Sequence, residues 1–345
     1  MMKAARLHQI GKKLEIDDVA IPEIGSNDIL VNVKAAGICH SDIHYRSGVS
    51  PVGKRPITLG HEVAGVVAKV GTKVEKVEPG DRVCIDYLIT CGNCVFCNAG
   101  RENLCESGKM IGKHVDGGFA EYLKVPARNI FNLPEEIPFD QGAIIGCAVS
   151  TPFHALRKVG VKIGDVVAIY GATGGLGVHA VQLAARVFGA GKVIAVARTQ
   201  EKLKLAEKLG ADETISTVEE DPVEKIRDVT HGKQADVALE FVGLRKTIEQ
   251  AVNSVGKGGR VVIVGICTEE IRISPYNNIL LKETEIMGCS DHLRQEMPRI
   301  IELIRSGKID LSRSITHRVP LNEVNRGIEI LEKKIGNPIR VVATP

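Results

Sequence analysis

The chain has 345 residues, 44% apolar and 25% charged, the composition of an ordinary globular protein of roughly two domains. A formal net charge of +3, with Lys and Arg dispersed, argues against a nucleic acid or an anionic membrane as partner. No apolar run approaches the roughly 18 residues that cross a bilayer, and MMKAARLHQIGKKLEIDD lacks the apolar core and cleavage site of a secretory signal, so a cytoplasmic location is expected.

In chain order, residues 1–150 carry short Val and Ile runs, DILVNVKAAGI, GVVAKV and DRVCIDYLI, bounded by Gly, Pro and Asp; they predict a mostly β unit. Within it, GICHSDIHYRSG offers Cys39, His40, Ser41, Asp42 and His44, and TLGHEVAGVV offers His61 and Glu62. Taken singly, a Cys after an apolar strand is an ordinary core residue, and a His–Glu pair between strands is an ordinary solvated pair. Spacing alone does not bring them together.

CGNCVFCNAGRENLC then places Cys91, Cys94, Cys97 and Cys105, four of nine cysteines, in one short stretch with C-x2-C-x2-C-x7-C spacing. A disulfide framework, a redox motif and a metal site compete for it. A reducing compartment and the odd cysteine total argue against pairing. An iron–sulfur cluster lacks the x3-C-P continuation of bacterial ferredoxins. Four thiolates at this spacing can close a tetrahedron around Zn2+, leaving no open position, so the site is expected to hold a loop and to perform no chemistry.

From about residue 160 the rhythm changes to strand, helix, strand, helix: DVVAIYGA, LGVHAVQLAARVFGA, KVIAVAR, QEKLKLAEKLGA, then the strands ADVALEFVG and GRVVIVGI. That order predicts βαβ units and a parallel sheet. After the first strand, Ala172, Gly174 and Gly177, with Gly175 and Leu176 between, fit G-x-G-x-x-G with Ala in first position. Small residues there let the backbone approach a pyrophosphate at the helix N-terminus. NAD enzymes carry an acid at the end of the next strand for the ribose 2′-OH. Here Ala197 takes that place and Arg198 comes after it. A guanidinium can grip a 2′-phosphate with two parallel hydrogen bonds, so NADP(H) is expected in preference to NAD(H); Arg198 stacked on adenine would tolerate NAD. The tail reads as a helix, MPRIIELIRSGKI, and a strand, IRVVAT, and composition does not assign it to either domain.

Together, AAGICHSDIHYRSG, PITLGHEVAGVVAKVG, GDRV and the four-Cys stretch, in this order and spacing, resemble the zinc-containing alcohol dehydrogenases of the medium-chain dehydrogenase/reductase superfamily. The resemblance covers the whole chain. It implies an α/β fold: a GroES-like, mostly β catalytic domain of residues 1–150 to which 290–345 return, a Rossmann domain with a doubly wound parallel sheet over 151–289, and an active site in the cleft between them. It also implies two Zn2+ per chain, one catalytic and one structural. Cys39, His61 and Cys147 match the catalytic ligands, and Glu62 the carboxylate beside the metal that can replace its water. Asp42 matches the residue that orients the ligand His. Ser41 and His44 match a relay that takes the alcohol proton to solvent, with the cofactor ribose between them. Cys91, Cys94, Cys97 and Cys105 match the structural site.

The same resemblance places Thr151 near the nicotinamide, Val242, Val264, Gly265 and Ile266 along the cofactor cleft, Arg340 near the pyrophosphate, and Tyr87 on the substrate wall beside the zinc. Cys84, Cys267 and Cys289 remain as core residues, and His40 and His114 take no role. The implied activity is reversible hydride transfer between a primary or secondary alcohol and NAD(P)+, with zinc as Lewis acid, in a homotetramer or dimer. Two rivals stand beside it: a polyol, threonine or specialised-aldehyde dehydrogenase, and a non-catalytic zinc-stabilised NADPH-binding protein.

Overall fold

The computed structural model describes residues 1–345. They form two compact units, Met1–Ser150 with Leu293–Pro345, and Thr151–His292. The chain returns to the first unit at Leu293, three residues beyond the expected return at 290.

The first unit is built on a seven-stranded sheet. Its long central strand, Asp28–Ile38, pairs antiparallel with Glu62–Val70 on one side and Arg340–Thr344 on the other. Arg82–Ile85 and Ile130–Asn132 extend one edge and Ile315–Pro320 the other, while Tyr122–Pro126 pairs with the first half of the central strand. Val31, Val33, Ile38, Val63, Val67, Val83, Ile85 and Val341 are buried in one apolar cluster. The β-branched runs thus form strands because they fill this pleated core. The C-terminal strand, which composition left unassigned, belongs here.

Strand register gathers the residues of interest. Gly37 lies opposite Glu62, and Ile38 lies opposite Val341. The end of the central strand and the starts of its two neighbours therefore meet at one place. There the chain turns into helix His40–Ser47, capped by Gly48 at φ 82°. The four-Cys stretch forms a lobe opened and closed by the strand pair Leu88–Ile89 and Lys109–Met110.

The second unit has six strands, paired in parallel throughout. Their spatial order is Glu213–Ser216, Lys192–Ala197, Val166–Tyr170, Ala235–Glu240, Val255–Ile263, Glu285–Gly288. In chain order that is third, second, first, fourth, fifth, sixth, the doubly wound dinucleotide order, whose switch point lies between the first and fourth strands. The apolar runs VVAIY and KVIAVA are buried nearly throughout, as strands covered on both faces must be.

Candidate metal centre and active site

Cys39, His61, Glu62 and Cys147 are all buried, and their ligand atoms lie within 4.8 Å of one another. Three separate stretches deliver them. Cys39 comes after the central strand as N-cap of helix His40–Ser47. His61 and Glu62 enter through Gly60, whose φ is +90° and where a Cβ would meet the Phe119 ring at 2.6 Å, so only glycine fits. Cys147 sits in a widened helical turn, Ile145–Val149, directly after helix Phe139–Ile144. Such one-turn bulges aim a side chain that a regular helix would turn away. Asp42, fully buried, ties two of these stretches together: its carboxylate accepts from Cys39 N at 2.9 Å and from Gly60 N at 3.2 Å. It lies 3.7 Å from His61 Nδ1, too far for a hydrogen bond but close enough for charge to act. Burial lowers the His61 pKa, but Asp42 and Cys39 outweigh it and hold the imidazole well above its ordinary range.

These residues fit a zinc ion. Two thiols and an imidazole are the Cys2His donor set of a catalytic zinc, which leaves a further position open. Cys39 is pulled well below the usual thiol range, chiefly by Cys147, while Cys147 is pushed well above it by Cys39. Two thiolates this close repel each other, and a cation between them removes that repulsion. His61 Nδ1, buried without a hydrogen-bond partner, is turned to Asp42, which leaves Nε2 to face a metal.

Beside them Glu62 forms a buried ion pair with Arg340. Burial pushes the Glu62 carboxyl up to about 7 against the pull of Arg340. A Cβ on Gly37 would stand 2.1 Å from Glu62 Oε2, so the bare glycine makes room for the carboxylate. The resemblance sets Arg340 near a pyrophosphate; the structure adds that its guanidinium is engaged with Glu62. A buried guanidinium needs a counter-charge, and the register of the terminal strand supplies one.

In the lobe, Cys91, Cys94, Cys97 and Cys105 also converge within 4.8 Å, but at the surface. Cys91 and Cys97 Sγ are 3.9 Å apart, near the roughly 3.8 Å edge of a tetrahedron with Zn–S of about 2.3 Å. The N–H groups of Asn93 and Cys94 donate to Cys91 Sγ at 3.5 and 3.3 Å and hold its pKa down at about 6. Desolvation pushes Cys97 up to about 12. The four thiols therefore fit a closed zinc site.

All nine cysteines are free. Burial pushes Cys84 up to about 12, as an inert core thiol, and Cys289 is also buried. Cys267 is half-buried, contrary to the core expectation, because it lies in the loop beyond strand Val255–Ile263. His114 Nδ1 accepts from Met110 N at 2.9 Å and braces a turn. A third cluster, His8, Glu15 and Asp17, is more open to solvent and already satisfied: His8 bonds Asp17 at 2.8 Å and Arg6 lies 3.5 Å from the same oxygen.

On the second unit, the Gly-rich turn joins strand Val166–Tyr170 to helix Gly177–Arg186. The tight turn is made by Gly171, at φ +81°, which sequence reading passed over by starting the pattern at Ala172. Gly177 would carry a Cβ 2.1 Å from Gly171 O, so its lack of a side chain lets helix and strand close. Arg198 is exposed beyond buried Ala197. Val242 and Ile266 are 42% and 46% exposed, and Val264 and Gly265 half-buried, at the tips of the fourth and fifth strands. Thr151 is buried in helix Ser150–Val159.

The family described as alcohol dehydrogenase GroES-like domain matches residues 25–135, and the one described as zinc-binding dehydrogenase matches 175–306. A protein of Sulfurisphaera tokodaii named NAD-dependent alcohol dehydrogenase is 34% identical, over 99% of this chain and 100% of its own length. A Bacillus licheniformis protein named L-threonine 3-dehydrogenase is 35% identical, over 95% of this chain and 94% of its own. A zinc-binding dehydrogenase from Sinorhizobium meliloti, solved with NADP bound, superposes with a TM-score of 0.92 at 36% identity, over 100% of this chain and 99% of that one. The chain belongs to the zinc-containing alcohol dehydrogenases of the medium-chain dehydrogenase/reductase superfamily.

The residues that a zinc alcohol dehydrogenase would use to relay a proton, Ser41 and His44, are three apart on helix His40–Ser47. That spacing puts them on one face, and both are half-buried. Ser41 Oγ is 3.7 Å from Cys39 Sγ. Tyr87 is buried with its ring edge-on to His61, centroids 5.0 Å apart, and Tyr45 packs likewise at 6.3 Å. Sequence reading missed Tyr45 and the Arg340–Glu62 pair. Tyr45 could have been suspected from its place on the same helix as Ser41, whereas nothing local marked the ion pair.

Proposed function

We propose that this enzyme oxidises primary or secondary alcohols and reduces the corresponding carbonyl compounds, with NADP(H) preferred to NAD(H). The buried convergence of Cys39, His61 and Cys147 beside Glu62 carries this reading. A non-catalytic binding protein has no use for a buried donor set with an open position. When bound, zinc supplies a redox-inert Lewis acid and the nicotinamide supplies the hydride carrier. The chain's own residues do the rest. Asp42 fixes Cys39 and the approach to His61. Ser41 accepts the proton of the substrate hydroxyl, and His44, one turn on, passes it to solvent. Arg340 pairs with Glu62 and opposes the burial that favours its protonated form.

Exposed Arg198 and the absence of an acid at Ala197 support NADP(H), as does the Sinorhizobium relative solved with NADP; the Sulfurisphaera relative's name favours NAD. Tyr87 on the wall, in a chain with 3% aromatic residues, suggests an otherwise aliphatic pocket that gains roughly 0.8 kcal/mol per buried CH2. Tyr276, Leu280 and Leu281 are 62%, 65% and 50% exposed, just before edge strand Glu285–Gly288. An apolar patch beside an open sheet edge supports a homo-oligomer, a dimer or tetramer. Nine free cysteines accord with a cytoplasmic location.

The test is a panel of alcohols and aldehydes assayed with NAD(H) and NADP(H) at the nicotinamide absorbance band. We expect kcat/KM to rise from ethanol to four- to six-carbon alcohols. Highest efficiency on threonine or a polyol, without dependence on alkyl length, promotes the first rival, for which the Bacillus relative's name speaks. No turnover of any substrate by fully metallated protein promotes the second.

A further inference from the structure

Glu240 ends strand Ala235–Glu240 and is fully buried. Its carboxylate is held by neutral donors. Oε1 accepts from Val242 N at 2.8 Å, Thr247 Oγ1 at 2.8 Å and Gly243 N at 3.0 Å, and Oε2 from Gly243 N at 3.2 Å. Its backbone carbonyl accepts from Val264 N at 2.9 Å and Gly265 N at 3.1 Å. One residue therefore fastens the loop beyond the fourth strand by its side chain and the loop beyond the fifth by its backbone.

The two loops meet without side chains between them. A Cβ on Gly243, at φ +76°, would lie 2.4 Å from Ile266 O. A Cβ on Gly265 would lie 2.1 Å from Gly243 N and 2.8 Å from Glu240 Oε2. On the other side, a Cβ on Gly171 would lie 2.9 Å from Val242 Cγ2. Burying a carboxylate is costly, and burial raises the Glu240 pKa against the pull of Thr247 and the loop N–H groups. Filling the strand end asks only for an apolar side chain. A charge adds one thing: it draws the N–H groups of Val242 and Gly243 inward, as in a backbone nest whose anion is supplied by the chain itself.

We propose that Glu240 is a positioning residue for the nicotinamide half of the dinucleotide. It sets the loops at 242–243 and 264–266 in their binding form before the cofactor arrives, leaving Val242 and Ile266 open to it. The proposal rests on the reading that these residues line the cofactor cleft. Ordering a loop in advance removes its ordering cost from binding.

The test titrates NADPH and NADH, followed by fluorescence, and 2′,5′-ADP and AMP, followed by calorimetry, into the zinc-loaded full chain and its Glu240→Gln and Thr247→Val variants. The two fragments report the adenosine half alone. Glu240→Gln turns an NH2 or a single oxygen toward three donors. It should weaken dinucleotide binding about tenfold while fragment affinity changes by less than about twofold. Thr247→Val, which removes one donor, should show the same split at about threefold. Circular dichroism checks folding, and if Glu240→Gln is unfolded, Thr247→Val carries the comparison. Equal losses for dinucleotide and fragment, or no loss, overturn the proposal. A wild-type chain that binds neither dinucleotide overturns the cofactor reading beneath it, which the variant-to-wild-type ratio does not touch.

Discussion

Cys39 and Cys147 are 8% and 7% exposed and stand with a histidine, a carboxylate and an arginine; Cys91, Cys94, Cys97 and Cys105 lie at the surface of a lobe among their own sulfurs and backbone N–H groups. The buried set is assembled from positions 39, 61, 62 and 147, so it exists only once the sheet has formed. The lobe set comes from fifteen consecutive residues, 91–105, with two short helical turns and little core of its own. In the first case the fold makes the metal site. In the second, on the proposed reading, a bound metal would hold the local fold. Under the proposed function chemistry belongs to the first, whose mixed donors leave a position open and where Ser41 Oγ stands 3.7 Å from Cys39 Sγ.

The contrast can be broken at several points. His61→Ala removes a ligand that the lobe cannot replace, so alcohol oxidation should fall at least about a thousandfold, while the lobe keeps its zinc. Residual turnover near wild type would place the chemistry elsewhere. Ser41→Ala, measured where the chemical step is limiting, should lower oxidation about a hundredfold with cofactor affinity retained, because the proton loses its first acceptor. His44→Gln should cost less, about tenfold, since water can take over the relay; an unchanged Ser41→Ala rate removes Ser41 from it. Cys94→Ala should lose one zinc and roughly 5 °C of melting temperature, yet keep turnover within about threefold at low temperature. The smallest effect is expected at Tyr87→Ala. Total efficiency should change little while the best substrate shifts toward bulkier alcohols, as read from a chain-length series; an unshifted optimum would put Tyr87 off the substrate wall.

Legibility in the sequence divides along the same line. The lobe was legible because its four cysteines fall within fifteen residues. The parallel sheet was legible because its buried strands are unbroken apolar runs, VVAIY and KVIAVA among them. The buried set was linked in the sequence only through family resemblance, since its convergence depends on the pairing of Gly37 with Glu62 and on a widened turn at Ile145–Val149. Arg340 and Glu62 are 278 positions apart, and the pairings of Ile38 with Val341 and of Gly37 with Glu62 bring them together. Nothing in the sequence singles out Glu240 at the end of its apolar strand; that it turns back to cap its own loop depends on Gly243 at positive φ. Cys267 has no ligand role in the resemblance and is expected in the core, but the strand stops at Ile263 and leaves it half-buried in a loop.

The division of labour is tested most directly by zinc analysis and turnover measured together on wild type, Cys39→Ala and Cys94→Ala, each purified under identical conditions. The account predicts two zinc ions per chain in the wild type and one in each variant, with activity lost in Cys39→Ala and kept in Cys94→Ala. One zinc in the wild type, or a Cys94→Ala variant that is folded, retains the other zinc and is as inactive as Cys39→Ala, would contradict it.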